Sequence, residues 1–120
     1  MIRTYVIDIT TTGTAGSATG SGTTTRPVNG VIAGIKVDFT SQAATADTTI
    51  VDGLGQAILT LTNVNADGWY YPHPEIHDPT GSAINKHTCP FVVDSYVTAS
   101  IAQSNAGSAQ ITLLVNDGRG

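Results

Sequence analysis

Residues 29–40, "NGVIAGIKVDFT", set the fold class of this chain. Val31, Ala33, Ile35, Val37 and Phe39 fall on one side of an extended backbone, and Lys36, Asp38 and Thr40 fall on the other. Alternation with a period of two predicts a strand with one face in a core and one in water. Asn29-Gly30, just ahead of it, is a strong turn signal.

The same pattern extends along the chain. "DTTIVDGLGQAILTLTN" reads as two short strands, about residues 47–51 and 56–62, turning at Asp52-Gly53 into a hairpin. In "FVVDSYVTASIAQ", Phe91, Val93, Val97, Ala99 and Ile101 alternate with Asp94, Tyr96, Thr98 and Ser100. After "SNAGS", Ala109, Ile111, Leu113 and Val115 alternate with Gln110, Thr112 and Asn116, which predicts a second hairpin with an apolar inner face. At the start of the chain, "IRTYVIDI", residues 2–9, is rich in β-formers but has no clean face, so it reads as an edge strand or an arm. Nowhere does a helical period emerge. A single-domain, all-β antiparallel sandwich or jelly roll of about eight strands is expected over residues 1–120.

Composition agrees. Charged residues are 12% of the chain, about half the usual ~25%, and Thr, Ser, Asn, Gln and Gly supply the polarity. β-branched Thr suits a pleated surface better than a helix. Residues 10–25, "TTTGTAGSATGSGTTT", hold no large apolar group; with residues 1–9 and Arg26 they form an expected N-terminal arm and loop, 1–26. That loop is either a flexible linker or a weak strand ordered by a neighbouring molecule.

The net charge of −4, with Arg3, Arg26, Lys36, Lys86 and Arg119 scattered singly, offers no basic patch to a phosphate backbone, so direct nucleic-acid binding is not expected. No apolar run approaches the roughly 18 residues that span a bilayer, and the N-terminus lacks the apolar core of a signal peptide. One Cys and no N-x-[ST] sequon leave nothing that marks an extracellular history, and no membrane partner is expected.

Residues 62–90 concentrate the chemistry: the only Trp, two of the four Tyr, four of the five Pro, all three His and the only Cys. His73, Glu75, His77, Asp78, His87 and Cys89 are zinc-type donors, yet an H-x3-H pair needs a helix that Pro72, Pro74 and Pro79 forbid. Cys89 with a His and Asp78 or Asp94 could be drawn as a triad, but no motif places an oxyanion hole, and a Cys beside Pro90 at a strand head reads as a small buried residue. Neither metal, cofactor nor enzymatic activity is expected. "GWYYPHP" reads better as a binding element, with Trp69 and Tyr71 leaving a strand on one face and Tyr70 on the other. Aromatics bring large contact area at low entropic cost, and the same rings would stack on sugars. The alternative is that Trp69 plugs one end of the sandwich above a rigid loop.

"VNGVIAGIKVDF", "ADTTI" and "WYYP", set within this order of strands and turns, resemble small virion proteins encoded beside the major capsid protein of tailed bacteriophages. Among those, the chain is most similar to the jelly-roll decoration (cement) proteins of some short-tailed phages. The resemblance covers nearly the whole chain and includes no catalytic motif. It implies a homo-oligomer, dimer or trimer, on the outer surface of the virion, which binds the expanded shell and clamps neighbouring major capsid protein subunits. A tail, neck or head-fibre component, or a glycan-binding module acting in host attachment, is the alternative. Expected interface residues are Arg3, Tyr5 and Arg26 at the N-terminal segment, and Trp69, Tyr70, Tyr71, His73 and His77 in the aromatic stretch; His73, His77 and His87 could make that contact pH-sensitive.

Overall fold

A computed structural model describes residues 1–118, and among them the chain forms eleven strands and no helix. In chain order these are β1 (Ile2–Thr11), β2 (Ala18–Thr23), β3 (Val28–Thr40), β4 (Asp47–Asp52), β5 (Ala57–Leu61) and β6 (Gly68–Tyr70). They continue with β7 (Glu75–His77), β8 (Ala83–Thr88), β9 (Val92–Ser95), β10 (Val97–Ser104) and β11 (Gly107–Asn116). The count exceeds the expected eight because β6, β7 and β9 are short pieces within the crowded stretch and its flank.

All pairing is antiparallel. The larger sheet runs β1-β11-β3-β6, with β9 paired to the start of β3; the smaller runs β2-β10-β4-β5; β7 and β8 pair only with each other. Inward side chains of the two larger sheets meet in one core, in a sandwich-like arrangement that includes Ile7, Ile9, Ile35, Val37, Ile50, Val97, Ile101, Ile111, Leu113 and Val115. Each such buried aliphatic contributes about 1.5–3 kcal/mol of hydrophobic free energy, and β11 and β3, each flanked on both sides, are the inner strands of the larger sheet.

Four local expectations are corrected. First, Asn29-Gly30 is not a turn but lies inside β3, where Asn29 pairs with Asp94 and Gly30 with Val93. Gly30 adopts φ 144°, and a Cβ there would stand 2.4 Å from the Asn116 carbonyl oxygen, so the glycine serves a close strand approach. Second, Leu114 pairs with Gly34 but Val115 pairs with Ile32, so Ala33 is an extra residue in β3. This bulge switches the inward parity: Val28 and Ile32 are buried before it, Ile35 and Val37 after it, while Val31 is half-buried and Ala33 exposed.

Third, β10 and β11 do not pair as a hairpin. They belong to different sheets, and the bend at 105–106 is a corner between layers. Alternation cannot distinguish these cases, because strands on opposite sides of one core both turn apolar residues inward. Likewise, residues 91–104 pass from the larger sheet to the smaller at Tyr96 without changing parity.

Fourth, residues 10–25 are ordered within the molecule itself. β2 pairs with β10, and Thr12 and Thr19 exchange backbone hydrogen bonds of 3.0 and 3.1 Å. A Cβ on Gly20 would lie 2.3 Å from the Thr10 carbonyl oxygen, and one on Gly22 would lie 2.6 Å from that of Asp8. The small-residue composition therefore lets the edge of the smaller sheet press on the edge of the larger, curling the two into a half-barrel on that side. On the opposite side Gly53 N donates to Ser95 Oγ at 2.8 Å and Gln56 Nε2 donates to the Val92 carbonyl at 3.3 Å.

A buried polar knot closes one end. Gln42 Nε2 donates to Thr11 Oγ1 and to the carbonyls of Thr40 and Ser108, while its Oε1 accepts from Ser104 Oγ. Thr11 Oγ1 also donates to the Asn105 carbonyl at 2.7 Å. The knot joins β1, β3, β10 and β11 where the chain turns between layers.

Candidate interaction site

The aromatic stretch is placed by β6. Asp67 Oδ1 accepts the Phe39 amide at 2.7 Å, which seats the short strand against β3 with Val37 opposite Gly68, Lys36 opposite Trp69 and Ile35 opposite Tyr70. Pro72 and Pro74 have no N–H to donate, so the strand ends there as an edge. Alternation then separates the three aromatics as their spacing predicts. Tyr70 is half-buried and packs on the core, while Trp69 and Tyr71 stand outside, 47% and 63% exposed. Their rings are nearly parallel, 11° apart in plane and 6.5 Å between centroids. Tyr71 rests against Gly34, where a Cβ would come within 3.1 Å of the ring.

Trp69 and Tyr71 are part of a larger surface. Val6 pairs with Thr112, Thr112 with Lys36 and Lys36 with Trp69, so these four side chains form a row across the outer face of the larger sheet. The adjacent row runs Thr4, Leu114 and Gly34, with Tyr71 over the last. Val6 is 43% exposed, Ile2 is exposed at the start of β1, and Leu114 is half-exposed. Lys36, within the first row, pairs with Asp38 at 3.4 Å, so the face is polar between Thr112 and Trp69. An uncovered sheet face that carries Ile2, Val6, Leu114, Trp69 and Tyr71 has the character of a docking surface.

Sequence reasoning reached the aromatics and missed Ile2, Val6, Lys36 and Leu114. The signal was present: β1 lacks a clean face because Tyr5, Ile7 and Ile9 point in while Ile2 and Val6 point out.

The remaining expected residues divide between two places. His73 Nδ1 donates to the Tyr71 carbonyl at 2.8 Å, which fixes the turn after the aromatic pair. His77 pairs with Ala83 in the β7–β8 hairpin, whose strand residues are all exposed. Asp78 organises its turn, accepting from Thr80 Oγ1 at 2.6 Å and from the Thr80 and Ser82 amides. The Thr80 hydroxyl bond, with the backbone amides, holds the Asp78 carboxyl below its ordinary pKa. Cys89 N donates to the Pro74 carbonyl at the base of the hairpin, and no three His, Cys, Asp or Glu side chains converge as a metal site among the described residues.

No family model and no curated protein matches this chain.

Arg3, Tyr5 and Arg26 do come together, at the end of the sandwich where β1 and β3 begin. With Pro27, Asn29 and Asp117 they line a cavity of about 340 Å³. Arg26 places its guanidinium carbon 5.2 Å from the centroid of the Tyr5 ring. Arg3 Nε donates to Asp117 Oδ2, and that hydrogen bond, reinforced by the carboxylate charge, raises the Arg3 pKa still further above the physiological range. Pro27, Asn29 and Asp117 were not expected here. Asn29 was hidden by its reading as a turn, and Asp117 is drawn in because β11 runs antiparallel to β1.

Proposed function

We propose that this chain is a non-enzymatic structural protein of a tailed-phage virion, a decoration or cement protein that binds the outside of the expanded capsid. In this role it clamps neighbouring major capsid protein subunits and works as a homo-oligomer. The observation that carries the reading is the uncovered outer face of the larger sheet, where Val6, Leu114, Trp69 and Tyr71 sit together. A sheet face that sets Val6, Leu114, Trp69 and Tyr71 among the polar Thr112 and Lys36 suits many weak, repeated contacts on a shell, where avidity multiplies modest single-site affinity. The jelly-roll assignment belongs to the same proposal; it is supported by a chain that passes repeatedly between the two sheets, from β1 to β2 to β3 to β4 and again from β9 to β10 to β11.

Co-sedimentation of the purified protein with heads that lack it, unexpanded and expanded, tests the reading. Saturable binding to expanded shells at a fixed ratio to capsid subunits is expected. Absence of binding to both shells would overturn it. A glycan-binding role in host attachment is the second reading, favoured by the exposed, near-parallel Trp69–Tyr71 pair. Binding of host polysaccharide that is lost in Trp69→Ala, without any shell binding, would establish that role instead.

A further inference from the structure

We propose that the cavity between the starts of β1 and β3 is a binding site for a carboxylate group, presented either by an acidic side chain of a protein or by a free small acid. The chain carries a net charge of −4 and only five Lys and Arg, yet Arg3 and Arg26 both line this one cavity. A local excess of positive charge on an acidic protein attracts an anion to that spot and not to the surface at large.

The two guanidiniums are held in different ways. Asp117 anchors Arg3 through Nε, and the Arg3 Nη groups make no hydrogen bond among the described residues. Arg26 lies over the Tyr5 ring, and no carboxylate is within ion-pair distance of it among the described residues. The planar fork of an arginine matches a carboxylate with two parallel hydrogen bonds, so an Arg steadied on an aromatic face is arranged for that group. Asn29 adds an amide donor at the wall, and Tyr5 and Pro27 supply apolar sides for a short aliphatic stem. A volume of about 340 Å³ holds a side-chain-sized acid.

Among the described residues three cationic groups stand at this end, Arg3, Arg26 and the N-terminal ammonium 3.4 Å from Asp117, so the Asp117 carboxylate leaves the cavity cationic, and the apolar sides of Tyr5 and Pro27 favour an anion with an aliphatic stem over inorganic phosphate. This site stands independently of the shell-binding proposal, because it lies at the end of the sandwich and shares no residue with the row containing Val6, Thr112, Lys36 and Trp69.

Chemical-shift titration of the full chain, following the Arg26 side-chain Nε–H and the Tyr5 amide, tests it. The probes are two monoanions, N-acetyl-glutamate α-amide and butyrate, with neutral butyramide and inorganic phosphate, at ionic strength matched with sodium chloride. Saturable shifts are expected with both carboxylates and none with butyramide. Arg26→Gln, at an exposed position, is expected to keep the wild-type melting temperature and to weaken binding by roughly tenfold or more, the worth of a charge-assisted hydrogen bond. Arg26→Lys, which keeps the charge and loses the fork, should also bind more weakly than wild type. Tighter binding of the glutamate derivative assigns the site to a protein-borne acid, and tighter binding of butyrate assigns it to a free one; both support a carboxylate site. Unsaturable shifts with both carboxylates, equal affinity in Arg26→Gln, or phosphate binding as tight as the carboxylates would overturn the proposal.

Discussion

Thr48 is fully buried on β4, and its hydroxyl finds no hydrogen-bond partner among the described residues. An unpaired buried hydroxyl costs stability that an isosteric methyl does not. Thr48→Val is therefore expected to stabilise the fold by about 1 kcal/mol, raising the melting temperature by a few degrees. A lower melting temperature would show that the hydroxyl is satisfied after all. Gln42 is the opposite case. Its side chain joins four elements through Thr11, Thr40, Ser104 and Ser108, and Gln42→Leu strips partners from several buried polar groups at once. A loss of about 2–3 kcal/mol in denaturant unfolding is expected, larger than for a typical single hydrogen bond. Gln42 carries no periodic or motif signal, since its importance arises only when the corner between β10 and β11 meets the ends of β1 and β3.

Among the elements, legibility followed periodicity. The faces of β10 and β11 and the β4–β5 hairpin were readable because burial alone dictates alternation, and Asp52 marks the turn it builds by accepting from the Leu54 and Gln56 amides. Partners were not readable. Two strands facing one core have the same pattern whether they share a sheet or oppose each other, so β10 and β11 read as a hairpin. The bulge at Ala33 was hidden because Ile32 and Val31 are both apolar, and either parity satisfies the pattern. Of the site, spacing separated Trp69 and Tyr71 from Tyr70, whereas the cross-strand row from Val6 to Trp69 depends on a register that no local pattern encodes. The β7–β8 hairpin has no core beneath it, so its own turn chemistry matters more than elsewhere. Because the folded Asp78 pKa lies below the ordinary value of about 3.9, its stabilising effect is present above that pH and disappears as pH falls through the lower folded value. Protection factors of the Thr80 and Ser82 amides, taken relative to intrinsic exchange at each pH, should fall over that acid range and should be low at all pH in Asp78→Asn. Protection factors that ignore pH in the wild type would contradict the role given to this carboxylate.

The whole molecule combines an apolar outer face, a cationic cavity and a hairpin outside the core in a body of 47 × 33 × 23 Å. Its radius of gyration, 15.1 Å, exceeds the roughly 14 Å of a compact chain of this length, as an element with no core of its own requires. Low charge and a sheet face without a covering layer favour close contact with a broad, repeated partner surface. Such contact rests on apolar area, so it should persist when salt screens surface charge. The decisive measurement is co-sedimentation with expanded shells in about 0.5 M salt, comparing the wild type with Trp69→Ala/Tyr71→Ala, whose side chains are outside the core and whose melting temperature should be nearly unchanged. Stoichiometric, salt-resistant binding by the wild type and its loss in the double variant are the predicted result. Equal binding by both proteins, or none by the wild type, would contradict shell attachment through this face.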